Sequence, residues 1–234
     1  MTKMIPESPG HALFDDLAAD ELQRLLPQLR LKHYQAGEYI FNTRQSATCL
    51  FLLVEGLVRV GYIAPDGDYR ILDICEEGDI FGEMFLGDYR FRIGQAQAMS
   101  AVWVYSLRED ELYALLERYP QVAVSFVQHL SDSKRRAFAR LHALQRSEAK
   151  PRLMGTLLSL ARTMCCTSGT EFVLNQAITQ QDIADMTGLN RSTVSSLINR
   201  LREDGILGGS GRFLTIDVPR MEAMLQEEGF ELVE

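Results

Sequence analysis

The stretch that decides the fold is Ile178-Thr179-Gln180-Gln181-Asp182-Ile183-Ala184-Asp185-Met186-Thr187-Gly188-Leu189-Asn190-Arg191-Ser192-Thr193-Val194-Ser195-Ser196-Leu197-Ile198-Asn199-Arg200-Leu201. Thr179 followed three residues on by Asp182 is a capping box with the shorter acid, so a helix is predicted to start there. Ala184 and Gly188 are small where two helices approach and the chain turns, and Gly188 suits the left-handed conformation that ends the first helix. Asn190 is expected to cap a second helix, with Ile183, Val194, Leu197, Ile198 and Leu201 filling the space between the two. This is the pattern of a helix-turn-helix, whose second helix enters the major groove of duplex DNA. The competing reading, an ordinary αα-hairpin, does not account for cap, small residues, turn glycine and polar face together.

The second helix exposes Arg191, Ser192, Thr193, Ser195, Ser196, Asn199 and Arg200, short polar or basic groups with no acid among them, suited to base edges and phosphate oxygens. Downstream, Gly205 to Gly211 followed by Arg212-Phe213-Leu214-Thr215-Ile216 reads as a two-stranded wing with Arg212 near its tip. Net charge taken whole argues against DNA: the 234 residues carry -8 at pH 7. Its distribution removes the objection. Residues 150–220 are net +2, whereas residues 1–149 and the stretch Met221 to Glu234 are each net -5. The reading domain is mildly basic, so a shallow salt dependence is expected, and an acidic tail would lower non-specific binding by competing for the basic surface.

Upstream, Leu31 to Leu107 falls into short β-branched and aromatic runs: Tyr39-Ile40-Phe41, Leu50 to Val54, Leu57 to Ile63, Ile71 to Ile74. Gly37, Gly56, Gly67, Gly78 and Gly82 punctuate them, as turns do in an all-β barrel or jelly roll. Pro65-Asp66-Gly67-Asp68 is a hairpin signal. Ala12 to Leu29 is helical in period, and Arg108 to Tyr119 reads as a short helix. From Pro120 to about Ala149 a long helix is predicted, with neither Gly nor Pro after its first residue. Val127, Leu130, Lys134, Ala137, Leu141 and Leu144 alternate spacings of three and four, the seam of a two-stranded coiled coil, so the helix is read as a dimer helix. Packing of that stripe within one chain is the alternative. Phe126 and Phe138 lie off the seam and are placed toward the β unit. Lys134 on the seam needs an anionic partner.

No apolar run is long enough to span a bilayer, and Met1 to Gly10 lacks the pattern of a signal peptide, so a cytoplasmic chain with no membrane partner is expected. Cys49, Cys75, Cys165 and Cys166 are too few for a disulfide scaffold and have no CxxC spacing; adjacent Cys165 and Cys166 are a candidate for oxidation.

A glycine-punctuated β unit, a long dimer helix and a winged helix-turn-helix together resemble the CRP/FNR family of bacterial transcription regulators. The likeness runs from about Phe14 to Val218. It is strongest in Phe51-Leu52-Leu53-Val54-Glu55-Gly56, in Gly78-Asp79-Ile80-Phe81-Gly82-Glu83 and in Ile178 to Ala184 with Gly188 and Thr193-Val194-Ser195. It implies an α+β chain: an N-terminal double-stranded β-helix (jelly roll) sensor domain over residues 1–119, a dimerisation helix over 120–149 and a C-terminal winged helix-turn-helix domain over 150–234. It also implies a non-enzymatic homodimer that binds a palindromic operator and engages RNA polymerase.

In the family's cyclic-AMP-binding members a Gly-Glu pair is followed by Arg-Ser/Thr, the arginine on the phosphate and the glutamate on the ribose. Gly82 and Glu83 match and Arg92 falls near the arginine, but Ile93 stands where the hydroxyl belongs, and Ala137 and Phe138 stand where the helix supplies hydroxyls to the adenine. Weak or absent cyclic AMP binding follows, because each unpaired polar edge in a buried site costs on the order of 1 kcal/mol or more. Gly82, Glu83, Arg92 or Arg90, Lys134 and Phe138 would instead suit a small organic anion such as an aromatic acid, with charge for the head group and ring faces for the body. A pocket filled by side chains, leaving a constitutive or redox-responsive regulator, is the standing alternative.

The iron-sulfur centre of the oxygen-sensing branch needs N-terminal cysteines, and residues 1–48 have none. His33, His129 and His142 are isolated, which argues against haem. A cupin enzyme would need clustered His and Glu ligands that the strands do not offer. By the resemblance, Arg191 reads guanine, while Ser192 replaces a common glutamate and Ser196 a second arginine, so the operator should depart from the TGTGA half-site. Asn190, Thr193, Gln180, Gln181 and Arg212 are assigned to phosphates.

Overall fold

The computed structural model describes residues 11–145, 148–164, 171–209 and 214–227. The chain divides into two compact units, residues 1–132 and 133–234.

In the first unit, α1 (Ala19–Leu25) lies between two 3-10 turns, Ala12–Phe14 and Leu26–Gln28. The single helix expected over Ala12 to Leu29 is thus broken into three. Ala18 is the N-cap of α1, its amide donating to the Glu21 carboxylate at 3.1 Å, and Pro27 removes an amide where the helix would continue. Next come β1 (Arg30–Tyr34), β2 (Tyr39–Phe41), β3 (Cys49–Glu55), β4 (Val58–Ile63), β5 (Tyr69–Cys75), β6 (Ile80–Phe81), a 3-10 turn at Glu83–Leu86, β7 (Gln95–Ala98) and β8 (Val102–Arg108). α2 (Glu109–Arg118) and α3 (Pro120–Leu144) follow.

The strands form two antiparallel four-stranded sheets, ordered β1-β8-β3-β6 and β2-β7-β4-β5. That is the expected jelly roll. Gly56, Gly67 and Gly78 all carry positive φ, as tight turns between strands require. β3 is buried on both faces, which explains its continuous apolar run. Leu50, Leu52 and Val54 join a core with Leu13, Phe85, Leu107, Leu112 and Phe126, while Phe51 and Leu53 turn into the roll with Phe41, Phe81, Val58 and Val104.

α3 starts in the first unit, where Val122 and Phe126 are buried and Leu130 packs partly against the same core. Leu130 is therefore partly covered within its own chain, as the alternative of packing that stripe within one chain expects for this position. The apolar residues that α3 exposes are Val124, Val127 (64%), Phe138 (57%), Leu141 (52%) and Leu144. Phe138, placed toward the β unit by the sequence, belongs to the second unit. Lys134, also exposed, holds its Nζ 5.7 Å from the Phe138 ring, so an aromatic face one turn on serves the cation that was expected to need an anion.

The second unit holds α4 (Ala149–Thr163), β9 (Glu171–Val173), α5 (Gln180–Thr187), α6 (Arg191–Glu203), β10 (Leu207–Gly208), β11 (Thr215–Asp217) and α7 (Val218–Glu227). Pro151 lies inside the first turn of α4, where a missing amide costs nothing. β10, β11 and β9 form a three-stranded sheet that carries the wing. The stretch taken as an acidic tail is in part structural: Met221 and Leu225 of α7 are fully buried, and Glu222 pairs with Arg162 of α4 at 3.0 Å. The wing tip with Arg212, the pair Cys165 and Cys166, and the last seven residues lie outside the described residues.

Candidate nucleic-acid interface and effector cradle

α5 begins as its sequence predicts. The Thr179 hydroxyl accepts from the Asp182 amide at 3.2 Å and donates to the Asp182 carboxylate at 2.6 Å, and that carboxylate also receives the Thr179 amide at 2.8 Å. Asp182 is buried, so the box fixes a charged group that would otherwise be costly. Thr179→Ala should destabilise this unit by about 1 to 2 kcal/mol in urea unfolding, with Thr179→Ser recovering most of it; no loss in either would show the box to be dispensable.

Gly188 ends α5 at φ 67°. The buried Thr187, which sequence reading passed over, closes the turn: its hydroxyl donates to the Ile183 carbonyl at 2.8 Å and accepts from the Leu189 amide at 3.4 Å. Only its place next to the glycine hints at this role. Val194, Leu197, Ile198 and Leu201 seat α6 on α5, leaving the opposite face outward.

On that face Arg191, Ser192, Ser196, Asn199 and Arg200 are exposed, while Thr193 and Ser195 are half-buried. Asn190 holds the N-cap position of α6 but makes no capping hydrogen bond; its backbone is extended there and the side chain stays outward. Gln181, assigned to phosphate, is exposed and donates to the Asp185 carboxylate one turn on at 2.7 Å. Gln180 is half-buried at the start of α5.

In the roll, Gly82 is left-handed at φ 78°, and a β-carbon there would stand 2.8 Å from Arg92 Nη1. Arg92 is 6% exposed. One terminal nitrogen donates to the Gly82 carbonyl at 2.6 Å, the other to the Cys49 carbonyl, with Cys49 Sγ at 3.7 Å. Its guanidinium carbon lies 4.3 Å from the Phe41 ring centre, and Phe41, Phe51 and Phe81 stack around it inside the roll. Burial pushes the Arg92 guanidinium below its ordinary range, opposed by Cys49 and Glu83. The same desolvation pushes the half-buried Glu83 carboxyl up, against the pull of its own backbone amide and of Arg92 and reinforced by Asp73.

Arg90 does not join Arg92. It bridges to Glu109 of α2 at 2.9 Å and donates to the Phe85 carbonyl at 3.2 Å, on the rim of an open groove of about 650 Å³ lined by Phe91, Arg108 and Tyr113 among others. Lys134 and Phe138 belong to the second unit. The terminal nitrogens of Arg92 each donate to one backbone carbonyl and its Nε has no partner among the described residues, so the guanidinium is tied to the roll while N–H groups remain for a further acceptor. No group of three or more potential metal ligands exists among the described residues.

A β-roll of this topology followed by a capped helix-turn-helix and wing defines a class: a sensor-type roll joined to a DNA-reading domain. Residues 31–119 match the cyclic nucleotide-binding domain model and residues 151–226 the Crp-like helix-turn-helix domain model. The cyclic AMP receptor protein of Thermus thermophilus is 31% identical over 95% of this chain and 99% of its own length. Among solved structures, FixK2 of Bradyrhizobium japonicum superposes with a TM-score of 0.71 at 25% identity, over 83% of this chain and 96% of its own. A CooA variant from Carboxydothermus hydrogenoformans shares the fold, with a TM-score of 0.74 at 20% identity over 95% and 98% of the two chains. The chain belongs to the CRP/FNR family of transcription regulators, a family of DNA-binding proteins rather than enzymes. No helix among the described residues is long and apolar enough to cross a membrane.

Proposed function

We propose that the chain is a homodimeric, sequence-specific transcription regulator that binds a palindromic operator, gated by a small organic anion other than cyclic AMP. The observation that carries the DNA reading is the outward face of α6, which from Arg191 to Arg200 exposes polar and basic side chains with no acid before Glu203 at the helix end, held by a satisfied capping box and a left-handed glycine turn. Arg191 stands at the N-terminal end of α6, where recognition helices meet base edges, and is the guanine reader in this account. The exposed stripe Val124, Val127, Phe138 and Leu141 supports a second copy as the partner of α3, since an apolar face of that length is not left to water. Family membership supports RNA polymerase as the further partner, a cytoplasmic setting and the division into sensor, helix and reader.

The two backbone carbonyls that hold Arg92 and the phenylalanines around it favour a second reading, in which the roll is filled by its own side chains and no cyclic nucleotide acts. Selection of duplexes from a random pool by the purified protein tests the proposal. Enrichment of a palindrome is expected, and no enrichment at any salt concentration sinks the DNA reading. Titrating cyclic AMP in the same preparation should leave the melting temperature unmoved, whereas an aromatic acid that raises it identifies the effector class. A rise with cyclic AMP overturns the exclusion; no rise with any anion favours the filled-roll reading.

A further inference from the structure

Besides its outward face, α6 has a flank. At 100° per residue Arg191, Ser195 and Arg202 fall within about 40° of one another, and about 90° round from Ser192, Ser196 and Asn199. Along this flank runs a cleft of about 340 Å³, lined by Arg191, Arg202, Gln176, Thr179, Gln180 and Ile198 among others. Among the described residues no carboxylate lines it. Arg202 is half-buried, and its Nε is shut off from water without a hydrogen-bond partner among the described residues. A guanidinium so placed is under-satisfied as the protein stands, and the rest of the cleft offers amide and hydroxyl groups that complement an oxyanion.

We propose that this cleft receives one backbone phosphate of the operator in each half-site, with Arg202 as its principal ligand and Gln176 beside it. The inference rests on the DNA-binding reading above. A helix about 10 to 12 Å across fills a major groove about 12 Å wide, so the C-terminal part of the flank, at Arg202, meets a phosphate wall, while Arg191 at the N-terminal end, which enters the groove, stays within reach of base edges. A planar fork matches a phosphate, and a recessed fork cannot read a base edge, so Arg202 adds affinity and register without sequence preference.

The test is the salt dependence of binding to the selected operator. Each phosphate contact contributes about 0.9 to the slope of log affinity against log salt. Arg202→Gln should flatten the slope by about that much per half-site, which between about 50 and 200 mM salt is a loss of affinity about 3-fold smaller per half-site than for the wild type, with the selected sequence unchanged. Arg202→Lys should keep most of the slope. Duplexes carrying single uncharged methylphosphonates probe the wild-type protein directly: one position per half-site should weaken binding in the wild type and have no further effect in Arg202→Gln. An unchanged slope in a folded Arg202→Gln protein, or no such phosphate position in the wild-type scan, overturns the assignment while leaving operator binding intact. Failure of the wild type to select any operator overturns the underlying reading as well. Stoichiometric uptake of inorganic phosphate that requires Arg202, with the DNA slope unchanged, would mark a site for a free anion and also overturn it.

Discussion

Arg191→Ala is expected to remove the distinction between the selected operator and unrelated DNA at the position Arg191 reads. Arg191 is exposed on the first turn of α6, and Val194, Leu197 and Ile198 hold that turn from behind, so truncating it leaves the helix seated. A bidentate arginine–guanine contact discriminates by about 1 to 3 kcal/mol, or roughly 5-fold to 150-fold in affinity per half-site. Footprinting at fixed salt reads the result. Sequence-specific protection should vanish in Arg191→Ala while binding to random duplex, set by phosphate contacts, falls only modestly. If the variant keeps full specificity, Arg191 is a backbone contact and the base-reading role passes to Ser192, Ser196 or Asn199. Arg191 and Arg202 of α6 are thereby separated by experiment: the first should change which sequence is bound, the second how binding responds to salt.

The reading domain was legible because its signals are local. Thr179 and Asp182 sit three residues apart on one turn, and Gly188 takes a backbone conformation that few residues other than glycine adopt readily. Gly56, Gly67 and Gly78 marked turns of the roll for the same reason. α3 was harder. Two heptad phasings share Val127, Lys134 and Leu141; one adds Leu130, Ala137 and Leu144, the other Ser131, Phe138 and Gln145. Periodicity cannot choose, and packing bears on the choice only within the first unit, whose core takes up part of Leu130 beside Phe126. Arg92 shows the other limit. Its spacing from Gly82 and Glu83 locates the cradle, but spacing does not say whether a guanidinium waits for a ligand or binds the carbonyls of Gly82 and Cys49. Arg90, two residues away, is carried to the opposite side of its loop and paired with Glu109. His11 gave no signal, since nothing in Gly10-His11-Ala12 announces a buried imidazole.

That imidazole carries the largest expected effect of pH on stability. His11 is 2% exposed; its Nδ1 accepts from the Leu13 amide at 3.1 Å and its Nε2 lies 3.2 Å from the Asp79 carbonyl, to which it donates. Accepting from an amide requires a neutral ring. Burial lowers its pKa to about 4, with the Asp79 carbonyl opposing and His129 adding to the fall. The unfolded chain takes up the proton near 6.5, before the folded one does. The neutral form's stabilisation is therefore complete above about pH 7 and is lost as pH falls from 6.5 towards 4, amounting to about 3 kcal/mol across that window. Urea unfolding of the full chain, followed through Trp103 of β8 in the first unit, should show the wild type losing this much more between pH 7 and pH 4 than His11→Phe. The variant is expected to be less stable at pH 7, where the Asp79 carbonyl and Leu13 amide lose their partner, yet flatter below it. Carboxylates titrate alike in both proteins, so the difference between the two curves isolates the imidazole; parallel curves would mean that His11 does not stay neutral in the folded roll. His129 of α3 accepts from the Ile80 amide at 3.1 Å, the residue next to Asp79, so two imidazoles hold consecutive residues just ahead of Gly82 and Glu83. Weakening this unit with acid therefore acts on the segment that leads into the cradle, and an effector screen run only at low pH would underestimate binding there.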